Sequence, residues 1–421
     1  MEDAVFRYGL FYVGFTILLF YAFRKHIISL FDPFVFTILM MSSSLSMSFE
    51  SSFFTYTLIS ICSFMFGFKL IGLPKRNNQI IENVVDIRLL EIFTILFFTL
   101  YFIITVYMYK EEGIPLLSEN PTESKTSMFT EGTGWIRRIS FLSPFLTICI
   151  CLSLIVSKRK SLFVKIFIVY VFLSMLGGSK SWLIGVIAVF WYIYQQENLW
   201  SDSVLHIKIL IKSKVKYFVI LSLILFLVIA IKESEIEGGD PIYSIGFRLM
   251  EFGDVMLYYA NEEVRNCFAH LNFIDYFLYE ANGVFGMLRL TNYYEPLGYQ
   301  MVKSYWNADS LFNDVVLGPN TVFFVRGHIF FGKIGGVFYS FIMGVFVACV
   351  RKKIIEMKIR NIFIYSLAVY LFFQIPGFLR ESSQSVSSLF DFCFYLGPII
   401  ILSLMIKGVL LKKESFKQMI E

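Results

Sequence analysis

Apolar runs of roughly 20 residues, separated by short breaks rich in lysine and arginine, recur almost from end to end of this chain, and each is long enough to cross a bilayer as a helix. Because a segment in lipid must satisfy its own backbone hydrogen bonds, this pattern predicts an all-α polytopic membrane protein. Of the 421 residues, 57% are hydrophobic and 16% charged, so water cannot be the main solvent. The net charge of +5 sits mostly in the breaks, where it orients the chain; no nucleic-acid motif accompanies it, and no nucleic-acid partner is expected.

Basic breaks belong on the cytoplasmic side, and one threading puts them all there. Runs are expected at about 8–23, 34–49, 53–73, 89–107 and 139–156, then a pair meeting at the LGGSKSW turn, then about 217–231, 334–350, 362–378 and 388–406. This gives about eleven transmembrane helices, with the N-terminus outside and the C-terminus inside. The first run follows neither a basic n-region nor a small-residue cleavage site and is expected to remain as a span. The chain divides into transmembrane helices over 1–231 with an external loop at 109–138, a large external loop with short helices over 232–333, and further spans with a basic cytoplasmic tail over 334–421.

Cys62, Cys149, Cys151, Cys349 and Cys393 lie in apolar runs and only Cys267 in the polar segment, so no disulfide framework is expected. There is no DxD, HExxH or P-loop, and His26, His206, His270 and His328 are scattered over both sides. Neither a metal nor a cofactor is expected.

The long polar segment holds the candidate chemistry. YSIGFRLMEFGDVMLYYANEEVRNC has helical spacing that would put Glu251, Asp254 and Tyr258 on one face, with Arg248 one turn earlier. A salt-bridged exposed helix is the bland alternative. Arg326 and His328 stand close to the start of a span, where ionisable groups are costly unless paired or wet. Snorkelling to lipid phosphate competes for Arg326, and a hydrogen-bonded interfacial histidine for His328. Arg137, Arg138, Lys180, Arg289 and Arg380 beside Glu381 add external positive charge against the usual orientation bias, which suggests an anionic ligand.

A lipid-linked pyrophosphate fits such a set, because arginine offers paired planar donors to phosphate and stabilises charge on a leaving pyrophosphate. Tyr293, Tyr294, Tyr299, Tyr305 and Trp306 could stack on sugar faces, and Glu251, Asp254 or His328 could take a proton from an acceptor hydroxyl. The catalytic candidates are therefore Arg248, Glu251, Asp254, Arg326 and His328, and the substrate-binding candidates Arg138, Lys180, Arg289, Arg380 and Tyr258.

GIPLLS at Gly113 to Ser118, GSKS at Gly178 to Ser181, the large external loop and a GxxGG-type stretch at Gly332 to Gly336 follow one another in an order that resembles bacterial O-antigen polymerases of the Wzy type. Lys180 stands where that family often has arginine, keeping the charge but losing the fork. The resemblance implies a GT-C-like architecture in the bacterial inner membrane with its active site facing the periplasm. It also implies transfer of a growing glycan from undecaprenyl pyrophosphate to a new lipid-linked repeat unit, without a metal. Membrane lipids and a chain-length regulator are the further expected partners. An O-antigen ligase-like transferase, or a lipid-oligosaccharide flippase or other transporter, is the alternative.

Overall fold

The computed structural model describes residues 2–29, 32–74, 85–118, 138–177, 180–195, 251–292, 294–306, 318–357 and 361–420. Among them the secondary structure is helical, with no strand beyond an isolated parallel bridge between Val85 and Asn361. Five stretches are long and apolar enough to cross a membrane: Phe6–Phe23, Ile87–Leu117, Phe323–Glu356, Ile362–Arg380 and Ser382–Leu410. Shorter apolar helices cover Phe34–Ser48, Phe54–Leu70 and Ser143–Val156. Every expected run except the eighth coincides with a helix; that one, at about 217–231, lies outside the described residues, as does most of the 109–138 loop.

The chain forms two compact units. The first comprises Met1–Arg76, Leu227–Met357 and Phe372–Ser387. It contains α1 (Glu2–Phe23), α2 (Phe34–Ser48) and α3 (Phe54–Leu70). The polar segment follows as short helices α8 (Val255–Tyr259), α9 (Glu262–Cys267), α10 (Phe273–Met287) and α11 (Leu297–Trp306), and leads into α12 (Phe323–Glu356). Serines of α2 are buried without penalty because they bond back to their own helix, Ser42 to the Ile38 carbonyl at 2.8 Å and Ser44 to that of Met40 at 2.9 Å.

The second unit comprises Asn77–Phe226, Lys358–Leu371 and Ser388–Glu421. Its described helices are α4 (Ile87–Glu112), α5 (Ser143–Val156), α6 (Lys160–Leu176), α7 (Lys180–Gln195), the first half of α13 (Ile362–Arg380), the end of α14 (Ser382–Asp391) and α15 (Gly397–Ile420). Phe145, Tyr370 and Phe392 pack ring to ring in its core, with centroids 4.9–5.4 Å apart. Buried hydroxyls there pair with one another, Thr94 with Ser153 at 3.1 Å and Thr147 with Tyr170 at 2.7 Å.

One expectation about the polar segment is corrected. The continuous helix expected through residue 267 is broken into a 3₁₀ turn at Glu251–Gly253 and the separate helices α8 and α9. A Cβ on Gly253 would lie 2.7 Å from the Ser43 carbonyl carbon, so this turn is pressed onto α2, and Asn261 restarts the helix by accepting from the Glu263 amide.

The run after the polar segment is preceded by a break. Gly332 adopts φ 69° and splits α12 into two helical pieces. A Cβ on Gly336 would lie 2.7 Å from the Gly327 carbonyl carbon. In one unbroken helix these glycines would be about 13 Å apart along the axis, so residues 323–331 fold back on the piece that follows. The hairpin carries Arg326 and His328. It is held against α3, whose Tyr56 donates to the Phe324 carbonyl at 3.0 Å and whose Ser63 donates to the Val337 carbonyl at 2.9 Å.

Candidate functional site

The fold-back places Arg326 in a cluster drawn from three parts of the first unit. Its side chain is almost wholly buried, with 1% of the residue exposed. Nη2 donates to the Phe378 carbonyl at 2.9 Å, one of the last carbonyls of α13, which has no partner within its own helix. Nη1 approaches Glu381 Oε1 at 3.5 Å, and Nε lies 3.8 Å from Glu280 Oε1 with no hydrogen-bond partner of its own.

The carboxylates are themselves held. Glu381 accepts from the Thr321 amide at 2.7 Å and from the Ser383 hydroxyl at 2.9 Å, while Glu280 accepts from the Ser382 hydroxyl. One guanidinium therefore faces two acids, leaving the cluster one negative charge in excess when both are ionised. Burial pushes the Glu280 carboxyl above its ordinary range; the Arg326 charge works against this and the Glu381 charge adds to it. Tyr276 on α10 and Tyr339 on α12 meet hydroxyl to hydroxyl at 3.2 Å, and burial raises the Tyr276 phenol.

His328, two residues from Arg326, belongs to an aromatic cage. Its Nδ1 is hydrogen-bonded to the Tyr259 hydroxyl at 2.7 Å, and the rings of Phe53, Tyr56 and Tyr259 meet it edge-on at 4.9, 4.8 and 5.7 Å. Nε2 is buried and unbonded. Arg265 stands over the Phe53 ring and donates to the Tyr259 and Ala260 carbonyls at the end of α8.

The other candidates are placed as follows. Arg380 is exposed at the last position of α13. Tyr258 packs on Tyr305 at 5.4 Å and feels the Asp254 charge. Arg289 is exposed just past α10. In the second unit, Arg138 is paired with Asp391 at 2.8 Å. Lys180 opens α7 and Glu251 opens the 3₁₀ turn, but their side chains, like Arg248 as a whole, lie outside the described residues.

Glu280 was absent from the expected set, yet burial raises its carboxyl above the ordinary range. The sequence did carry a signal for it: an acid one turn after Tyr276, in a helix otherwise rich in aromatic and apolar residues. Among the described residues no three His, Cys, Asp or Glu side chains gather as a metal site would require. The arrangement can hold and release a proton at Glu280, fix the Glu381 carboxylate by its hydrogen bonds to Thr321 and Ser383, and offer Arg380 to an anion. No protein-family model, curated protein or solved structure matches the chain.

Proposed function

We propose that the chain polymerises lipid-linked oligosaccharide repeat units. In this reading it is a metal-independent glycosyltransferase of the Wzy type, multi-pass in the bacterial inner membrane, with about eleven spans in a GT-C-like arrangement and its site open to the periplasm. The observation that carries the reading is the buried Arg326 between Glu280 and Glu381 at the fold-back of α12. An isolated charged cluster at the end of a span is costly to maintain and usually marks a pathway or a reaction centre.

Glu280 is the base. As the acceptor hydroxyl attacks the anomeric carbon of the donor, its proton passes to the Glu280 carboxylate, the new glycosidic C–O bond forms, and the bond to the pyrophosphate oxygen breaks. The pyrophosphate leaves on its polyprenyl chain with the bonding electrons, and the exposed Arg380 offers it paired donors. Arg326 acts as a positioning residue: Phe378 and Glu381 fix its two Nη atoms, and its free Nε edge faces the Glu280 oxygen. When Glu280 ionises, that edge supplies the compensating bond.

Analysis of lipid-linked glycans in cells tests this. Cells lacking the chain should accumulate single-repeat glycolipid with no ladder of longer products, and Glu280→Gln should reproduce that loss while the protein remains inserted. An unchanged ladder in either case would overturn the proposal.

A further inference from the structure

One face of α10 is strongly apolar and uncovered, although the helix belongs to the polar segment. Phe273, Ile274 and Phe277 are 57%, 70% and 55% exposed. Tyr276, Tyr279 and Glu280 occupy the adjoining face, about a third of a turn away round the helix. Exposure of large apolar groups in one strip marks a surface that meets something other than water.

What covers the strip follows from its neighbours. Phe273 meets Phe331 at 5.9 Å, and Phe331 stacks on Tyr339 at 5.2 Å, so the strip adjoins the opening turns of the long piece of α12. There Ile334 is 89% and Phe338 64% exposed, on a helix apolar enough to cross a membrane. The uncovered face of α10 is thus continuous with a face that a spanning helix turns to lipid. Exposed cations stand at both ends of the strip, Lys333 on α12 beside the junction and Arg289 just past the far end of α10 between the exposed Leu288 and Leu290. Long basic side chains beside apolar anchors are the pattern of a helix lying at the headgroup boundary, where they reach lipid phosphate.

We propose that α10 lies in the plane of the membrane surface, with Phe273, Ile274 and Phe277 sunk among acyl chains and Arg289 and Lys333 on headgroup phosphates. Its adjoining face then holds Glu280 at the lipid margin. Resting on the polymerase reading, this means that a polyprenyl-linked donor reaches Glu280 sideways, with its tail never leaving the bilayer.

The test uses the full chain in liposomes of phosphatidylethanolamine and phosphatidylglycerol carrying radiolabelled phospholipid. A benzophenone amino acid is placed at Ile274, at Phe277, at Ile334 as the lipid-facing reference, and at the exposed Glu263 of α9 as the aqueous one. After illumination, Ile274 and Phe277 should label phospholipid at the yield of Ile334, with Glu263 at background. Background labelling at both α10 positions, or cross-linking of both to a second copy of the chain, overturns the proposal. The label is read without turnover, so its failure strikes the in-plane helix alone, whereas failure of glycan elongation strikes the polymerase reading alone.

Discussion

Gly327 and Gly336 face each other across the Gly332 break, so closely that a Cβ on Gly327 would lie 3.0 Å from the Gly336 carbonyl oxygen. The contact is what returns residues 323–331 onto the span and delivers Arg326 to its carboxylates. Gly336→Ala adds a methyl group against the Tyr56 hydroxyl and against the backbone of Gly327 and His328, and the backbone cannot give way as a side chain can. It is expected to cost about 1–3 kcal/mol, as overpacking does, and to lower glycan elongation. Thermal unfolding of the purified protein in detergent should show a lowered midpoint; an unshifted midpoint would mean that the fold-back is not tightly packed.

Removal of Arg326 leaves two carboxylates facing each other in a buried place. Arg326→Ala is expected to destabilise the protein by about 3–5 kcal/mol, the usual consequence of leaving a buried charge unpaired. Adding Glu280→Gln removes one of the two acids and should restore part of that loss, with a coupling of about 0.5–3 kcal/mol for groups in one network. A double-mutant cycle by denaturation reads this directly; purely additive effects would show that Arg326 and Glu280 do not interact.

Arg326 and His328 were legible in the sequence because an ionisable residue beside an apolar run has few cheap places to go. Their partners were not. Glu381 lies 55 positions from Arg326, and nothing in local spacing says that the end of α13 will meet the hairpin of α12. The same blindness left Arg326 without a protein partner in the sequence reading, where the structure shows it buried and already paired with acids. Hydropathy located most of the helices because burial in lipid is a property of each segment alone. The break at Gly253 depends on a tertiary contact with Ser43 and Ser44 of α2, which a helical periodicity cannot register.

The raised Glu280 carboxyl gives a signed dependence on pH. Well below the ordinary value of 4.5 the group is neutral in both folded and unfolded chains, and the buried neutral form is fully favoured. As pH climbs through the raised folded value, a charge develops in a buried place and its stabilising contribution is lost. The wild type should therefore lose stability relative to Glu280→Gln as pH rises through that window above 4.5, and unfolding midpoints across the range check it. Elongation should change in the opposite sense, rising over the same window as the base becomes ionised. A stability difference that does not change with pH would show that the carboxyl is not perturbed.

A second buried pair in the first unit makes a separate case. Arg351 donates from Nη1 and Nη2 to the two oxygens of Asp32 at 2.7 Å each, reaches the His26 carbonyl at 3.1 Å, and lies between the rings of Phe34 and Phe372. This grip needs a planar fork, so Arg351→Lys should fail to replace it, and Asp32→Asn should cost about 3–5 kcal/mol. Neither residue belongs to the Arg326 cluster. Both variants should lower the unfolding midpoint while whatever protein survives keeps its pH dependence of elongation; a changed pH profile would tie Asp32 to the reaction.

The most direct measurement of the account is elongation of a purified polyprenyl-pyrophosphate-linked repeat unit by the purified chain in liposomes, with no other acceptor present and the products resolved by size. The account predicts a ladder of lengthened glycolipid with the wild type and only the starting unit with Glu280→Gln. No new glycosidic bond with the wild type, or a full ladder from the Glu280→Gln protein, would contradict it.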